Sequence, residues 1–287
     1  SRVFTKSDQD MFARLSGDYN PLHMDPVTAR RLTFGKQVVH GVHLLLWGLN
    51  CLLESISENI VLRKLQAKFL KPAGLDEKVT CQLIMDSPEK VFLRLRTSNE
   101  TTLTAEIEFQ REKNLHYLND YEPKSILFDN TGYTVINSEN ISKTGGDLEL
   151  ALHQEMAMKL FASVVKFIPG LQVAEILATT RLIGMKCPGL HSVFSGMQME
   201  FVNLKPGESL MQYKVVNYDG RFNLVTVEIV SPGAKGTVTG FLRPMPSVQS
   251  SIEKVQEKVD SASFSGQVAL VVGGSRGLGE ITAKILA

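Results

Sequence analysis

An acid and an imidazole, Asp18 and His23, lie five positions apart across an Asn-Pro step. On an unbroken α-helix, five positions correspond to about 500° of rotation, so the two side chains would point in different directions. Pro21 prevents that geometry, because it lacks a backbone N–H and favours extended backbone at Asn20. We therefore expect Asp18 and His23 to be loop residues that point toward one spot. A carboxylate and an imidazole placed in this way are typical of an acid–base pair.

Short helices are predicted on both sides of this pair. Ser7 and the acidic residues that follow it predict a helix N-terminus with a serine cap. This helix is expected to stop at Gly17, because glycine commonly ends helices. Asp25 and Pro26 predict the start of a second short helix, with proline in its first turn.

A glycine, Gly41, opens the most apolar stretch of the chain, which continues to about Ile56. Its apolar residues cover nearly all sides of a helix, which predicts a buried helix rather than a half-exposed one. His43 and Trp47 are expected to be core residues of this helix.

Strand-like segments follow the apolar helix, and several alternate apolar and polar residues as strands with one buried face do. Turn-forming residues separate them. One buried helix wrapped by an antiparallel sheet is an α+β layer arrangement. The predicted strands are residues 65–70, 78–84, 91–97 and 102–109.

A second unit repeats this order after a polar connector at 112–148, in which one strand is predicted at 133–136. Residues 150–178 have a helical pattern that is interrupted at 168–170, and four strands follow. A local sequence echo relates residues 66–74 to residues 200–208. Helix followed by strands, twice, indicates an internal duplication. The predicted strands of this unit are residues 197–201, 210–216, 222–230 and 235–242.

The overall composition limits the function classes. A chain of 287 residues with 43% hydrophobic and 21% charged residues is typical of a globular protein with two compact units and linkers. The net charge of +1 excludes a field that would recruit nucleic acid. The three cysteines lack metal-site spacing and favour a reducing, cytoplasmic location, and we predict no metal site. The apolar run is too short for a membrane span.

The N-terminal part resembles the MaoC-like family of hot-dog-fold hydratases and dehydratases, which includes the (R)-specific enoyl-CoA hydratases. The resemblance rests on residues 12–25, which contain the Asp-x-Asn-Pro-x-His pattern, and on residues 38–41 and 69–72. It covers residues 1 to about 110. In that family the aspartate and the histidine of the pattern position and activate a water molecule. The resemblance therefore implies these roles for Asp18 and His23.

Adding water to an α,β-unsaturated thioester needs an acid, a base and hydrogen-bond donors for the enolate oxygen. The free N–H of Gly41, aided by the helix dipole, could serve the thioester oxygen. A glycine there also lets the substrate approach the backbone closely. We count His40 and Asn20 as further oxyanion or substrate-binding candidates, although His40 could equally orient the loop or only pack.

The second unit lacks an Asp-x-Asn-Pro-x-His pattern. Cys187 and His191 offer a thiol and an imidazole, but no orienting partner is visible, which does not favour nucleophilic catalysis. We interpret this unit as a degenerate second hot dog that helps to hold the acyl chain. One active site per chain is expected.

The C-terminal stretch after a linker at 244–262 resembles the nucleotide-binding turn of short-chain dehydrogenases/reductases. A predicted strand at 268–272 precedes this glycine turn, and a helix follows it, which is the required context. Arg276 would suit a 2′-phosphate and so NADP(H). We expect the chain to end inside this third domain and to bind that cofactor poorly. The cofactor-binding candidates are Gly273, Ser275, Arg276, Gly277 and Gly279.

These observations predict an α+β double hot dog with domains at 1–120, 121–245 and 246–287, the last being a linker and the start of a Rossmann-type reductase. The expected function is an (R)-3-hydroxyacyl-thioester dehydratase or (R)-specific enoyl-thioester hydratase that needs no cofactor. It would act on acyl-CoA or acyl-carrier-protein thioesters, as the front part of a multidomain enzyme. The alternatives are an acyl-thioester binding module for a fused NADP-dependent reductase, or a thioesterase. Pairing of the hot dogs within the chain or across a homodimer stays open.

Overall fold

The computed structural model describes residues 1–32, 34–98, 100–113, 123–202, 209–244, 249–260 and 262–287. These residues form two compact units, Ser1–Arg243 and Pro244–Ala287. The first half of the larger unit contains β1 (Arg2–Val3), α1 (Lys6–Ser16), α2 (Pro21–Met24), α3 (Pro26–Arg31), α4 (Gly41–Ile56), β2 (Ile60–Phe69), β3 (Lys78–Ser87), β4 (Lys90–Arg96) and β5 (Thr101–Arg111).

The second half of the larger unit follows the same plan. It contains β6 (Gly145–Glu149), α5 (Gln154–Phe167), α6 (Gly170–Arg181), a π-helical turn (Leu182–Lys186), β7 (Ser192–Phe201), β8 (Leu210–Asp219), β9 (Leu224–Val230) and β10 (Ala234–Leu242).

These strands form one antiparallel sheet in the order β1-β3-β4-β5-β2-β7-β10-β9-β8-β6. The two halves meet where β2 pairs with β7, with Leu65 opposite Met199. The order on one side of this junction, β2-β5-β4-β3-β1, is repeated on the other as β7-β10-β9-β8-β6. The repeated connectivity supports the internal duplication that the sequence indicates.

The central helices of the two repeats are buried against this sheet. Helix α4 packs on β3, β4 and β5, and it also contacts α5 and α6, so the two repeats share one hydrophobic core. His43 and Trp47 are buried in α4, as predicted. The His43 ring stacks in parallel on Phe12, with ring centroids 4.5 Å apart. The fold is the predicted α+β double hot dog.

The N-terminal helix begins two residues earlier than its sequence suggests. Its cap is Thr5 rather than Ser7: the Thr5 side chain accepts from the backbone N–H of Asp8, and the Asp8 carboxylate accepts from the Thr5 backbone. This reciprocal pair is a capping box, which satisfies two backbone donors at once. Gly17 ends the helix with a positive φ of 77°, as predicted.

The connector between the repeats differs from the prediction. Residues 133–136 do not form a strand, and Val135 makes only an isolated bridge to Gly189. A strand that the sequence did not predict, β6, forms instead and pairs with the edge strand β8. Its Gly145-Gly146 start is typical of a loop, which explains why composition hid it. Residues 203–208 of the predicted internal echo lie outside the described residues.

The smaller unit contains α7 (Ile252–Gln256) and α8 (Gly277–Leu286). The predicted strand at 268–272 is not formed. Its apolar residues Val268, Leu270 and Val272 are almost fully exposed, and nothing among the described residues pairs with it. A β-strand requires hydrogen bonds from a neighbouring strand, so apolar composition alone is insufficient.

The glycine turn of this unit nevertheless leads into a helix, as predicted. Gly273 and Gly277 have positive φ values of 79° and 60°. Ser275 lies in the turn, Arg276 occupies the N-cap of α8, and Gly279 lies in its first turn. Across all the described ranges, no helix has the length and apolar character needed to cross a membrane.

Candidate active site

The predicted acid–base segment lies between α1 and α4, and His23 is helical rather than in a loop. The Asn20 side chain caps the one-turn helix α2 by accepting from the Leu22 N–H, and Pro21 takes the first helical position. The prediction of a loop at His23 was therefore wrong. The Asn-Pro step starts a new helical turn, and that turn brings the imidazole back toward Asp18.

Asp18 is buried, with 2% of its surface exposed. Its Oδ2 accepts a hydrogen bond of 2.6 Å from the Thr180 hydroxyl, and its Oδ1 accepts one of 3.1 Å from the Asn20 N–H. Burial raises the pKa of Asp18, whereas the neighbouring His23 and the two hydrogen bonds oppose that rise. The carboxyl group is thus held in a site that makes it a stronger base than an exposed aspartate.

His23 has a defined tautomer. Its Nδ1 lies 2.8 Å from the Val38 carbonyl oxygen. Because a carbonyl can only accept, Nδ1 carries the proton and Nε2 carries the lone pair. Burial lowers the pKa of His23, and Asp18 partly opposes this effect. A neutral imidazole with an available Nε2 can accept a proton from a substrate or from water.

His40 lies behind His23. The two rings stack with centroids 3.9 Å apart, and His40 Nε2–H donates to the main-chain oxygen of Asp18 at 3.0 Å. His40 is fully buried and is not among the residues that line the pocket, which favours the alternative that it orients the loop. Burial holds the pKa of His40 well below its ordinary value. A neutral His40 therefore positions the His23 ring and the Asp18 backbone.

Asn20, the other polar candidate for substrate binding, hydrogen bonds to the second repeat. Its side-chain N–H groups donate to the carbonyls of Gly184, Leu190 and Gly189, at 2.9, 3.2 and 3.3 Å. Its side-chain oxygen is used by the cap of α2. Asn20 lines the pocket, but its polar atoms fasten the Asp18–His23 segment to the second repeat.

A pocket of about 250 Å³ opens beside these residues, at the junction of the two repeats. Gly41 lies in its wall at the first position of α4, where a backbone N–H has no partner within the helix. The Phe69 ring fills the space beside Gly41, since an added Cβ would lie 2.7 Å from it. The lining combines first-repeat residues Asp18, Asn20, Leu22, His23, Phe34, Val38, Val39, Gly41, Leu44, Phe69, Leu70, Lys71, Pro72, Ala73 and Thr102 with second-repeat residues Thr180, Ile183, Gly184, Ser192, Val193 and Phe194.

Polar side-chain atoms of Asp18 and His23 lie within a distance that one water molecule can bridge. One oxygen or nitrogen from each of Asp18, His23 and His40 lies within 4.8 Å of the other two. Two acceptors that hydrogen bond to the same water are about 4.5 Å apart, given ordinary bond lengths. Within the described ranges, these three side chains, one carboxylate and two imidazoles, form a group that could hold a metal ion.

The second-repeat part of the site was missed by sequence reasoning. Thr180 and Gly184 come from α6 and the π-helical turn, more than 160 positions away from Asp18. The only signal in the sequence is Gly184 itself, a glycine inside an apolar helical pattern, which often marks close packing. A Cβ at Gly184 would lie 2.3 Å from Asp18 Oδ1.

Gly184→Ala is therefore expected to displace the Asp18 carboxylate and to reduce activity about 100-fold, because a shift of about 1 Å at a reacting group has that effect. The measurement is kcat/KM for the reaction proposed below. Gly220→Ala is the matched control, since an added Cβ there meets one atom of the described residues, at 3.7 Å. Equal activity of the two variants would contradict this packing.

No hydrogen bond joins the Cys187 thiol and the His191 imidazole in the described part of the chain. Cys187 is buried, and burial raises its pKa to about 12, so the reactive thiolate is suppressed. The Nε2 atom of His191 has no hydrogen-bond partner in the described part of the chain. This geometry agrees with a structural interpretation of Cys187 and His191.

Comparison with known proteins finds a similar family model and a similar fold. The family model described as "MaoC like domain" matches residues 1–106. A MaoC domain protein from Chloroflexus aurantiacus J-10-fl has a similar structure, with a TM-score of 0.54 and 11% identity. That likeness covers 85% of this chain and 93% of the other, and it confirms the double hot-dog fold. Residues 1–106, which lie within the larger unit, are thus similar to MaoC-like domains.

Two curated relatives from Arabidopsis thaliana match parts of the chain. The peroxisomal enoyl-CoA hydratase 2 is 23% identical over 109 residues, which are 37% of this chain and 35% of the relative. The mitochondrial 3-hydroxyacyl-[acyl-carrier-protein] dehydratase is 45% identical over 42 residues, 15% of this chain and 25% of the relative. The matches therefore span about a third and a quarter of these relatives. Both relatives are named for the addition or removal of water.

Proposed function

We propose that this chain adds water to enoyl thioesters, or removes it from (R)-3-hydroxyacyl thioesters, at the pocket between the two repeats. The observation that carries the proposal is that Asp18 and His23 line one pocket whose wall contains Gly41, the first residue of α4. This combination supplies both an acid–base pair and an oxyanion donor. The names of the curated relatives support the same reaction.

The proposed chemistry assigns each group one task. The Asp18 carboxylate and the His23 imidazole hold a water molecule, and one of them takes its proton as the oxygen bonds to the β-carbon. The Gly41 N–H stabilises the negative charge that develops on the thioester oxygen. The Asp18–His23 pair then delivers the proton to the α-carbon, so that no net proton is gained or lost.

We propose one such site per chain. Helix α6 begins like α4, with Pro169-Gly170 at the place of His40-Gly41 and nearly equal N-cap angles. In the second repeat, however, Gln172 hydrogen bonds to the backbone N–H and carbonyl of Leu62. Proline cannot replace an imidazole that stacks on a catalytic histidine. These differences support a structural role for the second repeat as the wall of the first repeat's site.

The test is incubation of the full chain with crotonyl-CoA and with crotonyl-carrier protein. Loss of the enoyl absorbance with formation of the (R)-3-hydroxyacyl product is the expected result. Release of free thiol without hydration would instead identify a thioesterase. Binding of crotonyl-CoA or crotonyl-carrier protein without turnover of either would identify an acyl-thioester binding module. Either result would overturn the proposed hydratase activity.

The smaller unit fits a separate proposal, that it is the start of a reductase domain fused behind the hydratase. Its support is the sequence of the glycine turn and the passage of that turn into α8 with two positive φ values, without the strand expected at 268–272. A fusion is chemically coherent, because the 3-hydroxyacyl product of a ketoreductase is the substrate of a dehydratase. NADP(H) would then be the cofactor of the complete reductase domain.

A further inference from the structure

The hydrogen-bond partner of Thr180 is unusual for a helical threonine. Helical threonines commonly donate to a carbonyl of the preceding turn. Its neighbour Thr179 does so, donating to the Ile176 carbonyl at 2.7 Å. Thr180, which is also buried, instead donates across the repeat junction to Asp18 Oδ2 at 2.6 Å. The short length is typical of a hydrogen bond to an ionised carboxylate.

The packing around this hydrogen bond leaves the carboxylate little freedom. Gly184, in the π-helical turn that continues α6, leaves room for the Asp18 carboxylate against the helix backbone. Two residues after Asp18, the Asn20 side-chain amide donates a hydrogen bond to the Gly184 carbonyl. π-Helical turns are often found at functional sites. Here the turn allows the helix end to approach the carboxylate closely enough for a direct hydrogen bond.

The titratable groups nearest to Asp18 are two histidines of the first repeat. His23 of α2 faces Asp18 directly, and His40, just before α4, lies 3.9 Å from its Oδ2. Arg243, after β10, acts on His23 rather than on Asp18. The Arg181 guanidinium is directed toward the Phe128 ring and the Glu149 carbonyl. On the side of α6, the Thr180 hydroxyl is thus the group that donates to the carboxylate.

We infer that Thr180 is a positioning residue by which the second repeat holds the Asp18 carboxylate, ionised and correctly oriented, for the proposed hydratase. This inference rests on the proposed function for its kinetic consequence, but not for its structural one. The second repeat then supplies part of the catalytic apparatus as well as a wall. A first repeat alone would have an aspartate without this partner.

Thr180→Val removes the hydroxyl and keeps the branched shape. Loss of one hydrogen bond to a charged group corresponds to about a 10- to 100-fold reduction in kcat. KM should change little, because Thr180 acts through Asp18 and not on the bulk of the substrate. The acid limb of the pH profile should move upward by about one pH unit, since the carboxylate loses stabilisation relative to the neutral acid. Thr180→Ser should restore both properties.

The kinetic test compares wild type, Thr180→Val and Thr180→Ser on crotonyl-CoA across pH, with Thr179→Val as the matched control. Thr179 is buried in the same helix turn, and its hydroxyl serves only the helix backbone among the described residues. A wild-type profile for Thr180→Val, or the same shift in Thr179→Val, would overturn the inference.

A second measurement separates this inference from the proposed function. In protein labelled with ¹³C at the aspartate carboxyl carbon, the Asp18 signal is assigned by its absence in Asp18→Asn and is titrated without substrate. Thr180→Val should titrate at a higher pH than wild type and Thr180→Ser. An unchanged titration overturns the inference, even in an active enzyme. A shifted titration in a protein that does not hydrate crotonyl-CoA would uphold the inference and reject the function.

Discussion

Asp18→Asn should lower kcat/KM for crotonyl-CoA hydration by about 10²- to 10⁴-fold, the range expected when a positioned acid–base group is removed. Asparagine keeps the shape of the side chain, and its carbonyl oxygen can still accept from Thr180. It cannot take up a proton from water. His23→Ala should cause a loss of the same order, because Nε2 is the only unbound nitrogen of that ring in the described structure. The measurement is the initial rate of hydration at saturating and limiting substrate.

In the double variant, the loss of kcat/KM should be much smaller than the product of the two single losses, since Asp18 and His23 act on the same water molecule. Asp25→Asn is the matched control on the same segment. The Asp25 carboxylate caps α3 by accepting from the Val27 and Thr28 N–H groups, a task that asparagine performs equally well. Wild-type rates in both catalytic variants would contradict the assigned roles, and a large loss in Asp25→Asn would indicate damage to the fold instead.

The first-repeat half of the candidate site could be predicted because its signals are local. Asp18, Pro21 and His23 lie within six positions, and Gly41 is the first residue of a helix whose apolar pattern is unambiguous. The second-repeat half could not be predicted in this way. Thr180 reaches Asp18 only through the packing of α6 against the first repeat, and a threonine in a helix has no pattern that foretells its partner.

The same distinction explains which elements of the fold were predicted. Helix α4 has the predicted bounds, Gly41–Ile56, because burial of most of its length selects a long apolar run. The strand predicted at 268–272 has equally apolar residues but no hydrogen-bonding neighbour among the described residues. Strand β6 has little apolar character, yet it forms because β8 offers it an edge. Strand formation thus depends on a partner that is distant in sequence, whereas helix formation does not.

His40 and Asn20 show the corresponding limit for polar residues. Their positions in the motif indicated that they belong to the site, and both lie there. Their partners, the Asp18 main-chain oxygen and the carbonyls of the π-helical turn, are decided by tertiary packing. Sequence alone therefore located these residues but did not distinguish contact with substrate from support of a catalytic side chain.

A buried acid in the second repeat should make the stability of the protein depend on pH. Glu175, on α6, is fully buried. Its Oε1 accepts from the Ser231 hydroxyl at 2.7 Å and from the Gly233 N–H at 2.8 Å. Its Oε2 has no hydrogen-bond partner in the described structure. Burial raises the pKa of Glu175 from 4.5 to about 7, although both hydrogen bonds oppose the rise.

The direction of the effect follows from proton binding. Below pH 4.5 the carboxyl is protonated in the folded and unfolded chains, and it adds no pH dependence. Between pH 4.5 and 7 the unfolded chain releases this proton while the folded chain keeps it, so the free energy of unfolding falls as pH rises. Above pH 7 both states are ionised and the loss is complete. The difference between pKa values of 4.5 and about 7 corresponds to about 3 kcal/mol.

Glu175→Gln should therefore remove about 3 kcal/mol of pH-dependent destabilisation between pH 4.5 and 7.5. Glutamine is neutral at every pH, and its carbonyl oxygen can accept from Ser231 and Gly233. Its amide N–H₂ would lie where Oε2 lacks a partner, which lowers stability by an amount that does not vary with pH. The decisive quantity is thus the change with pH of the difference in unfolding free energy between variant and wild type, measured by urea denaturation. The other titrating groups are the same in both proteins, so their contributions cancel in this difference. Glu155 is exposed, so Glu155→Gln provides the control for loss of one negative charge. If the unfolding free energies of wild type and Glu175→Gln stay parallel from pH 4.5 to 7.5, the buried carboxyl is ionised throughout.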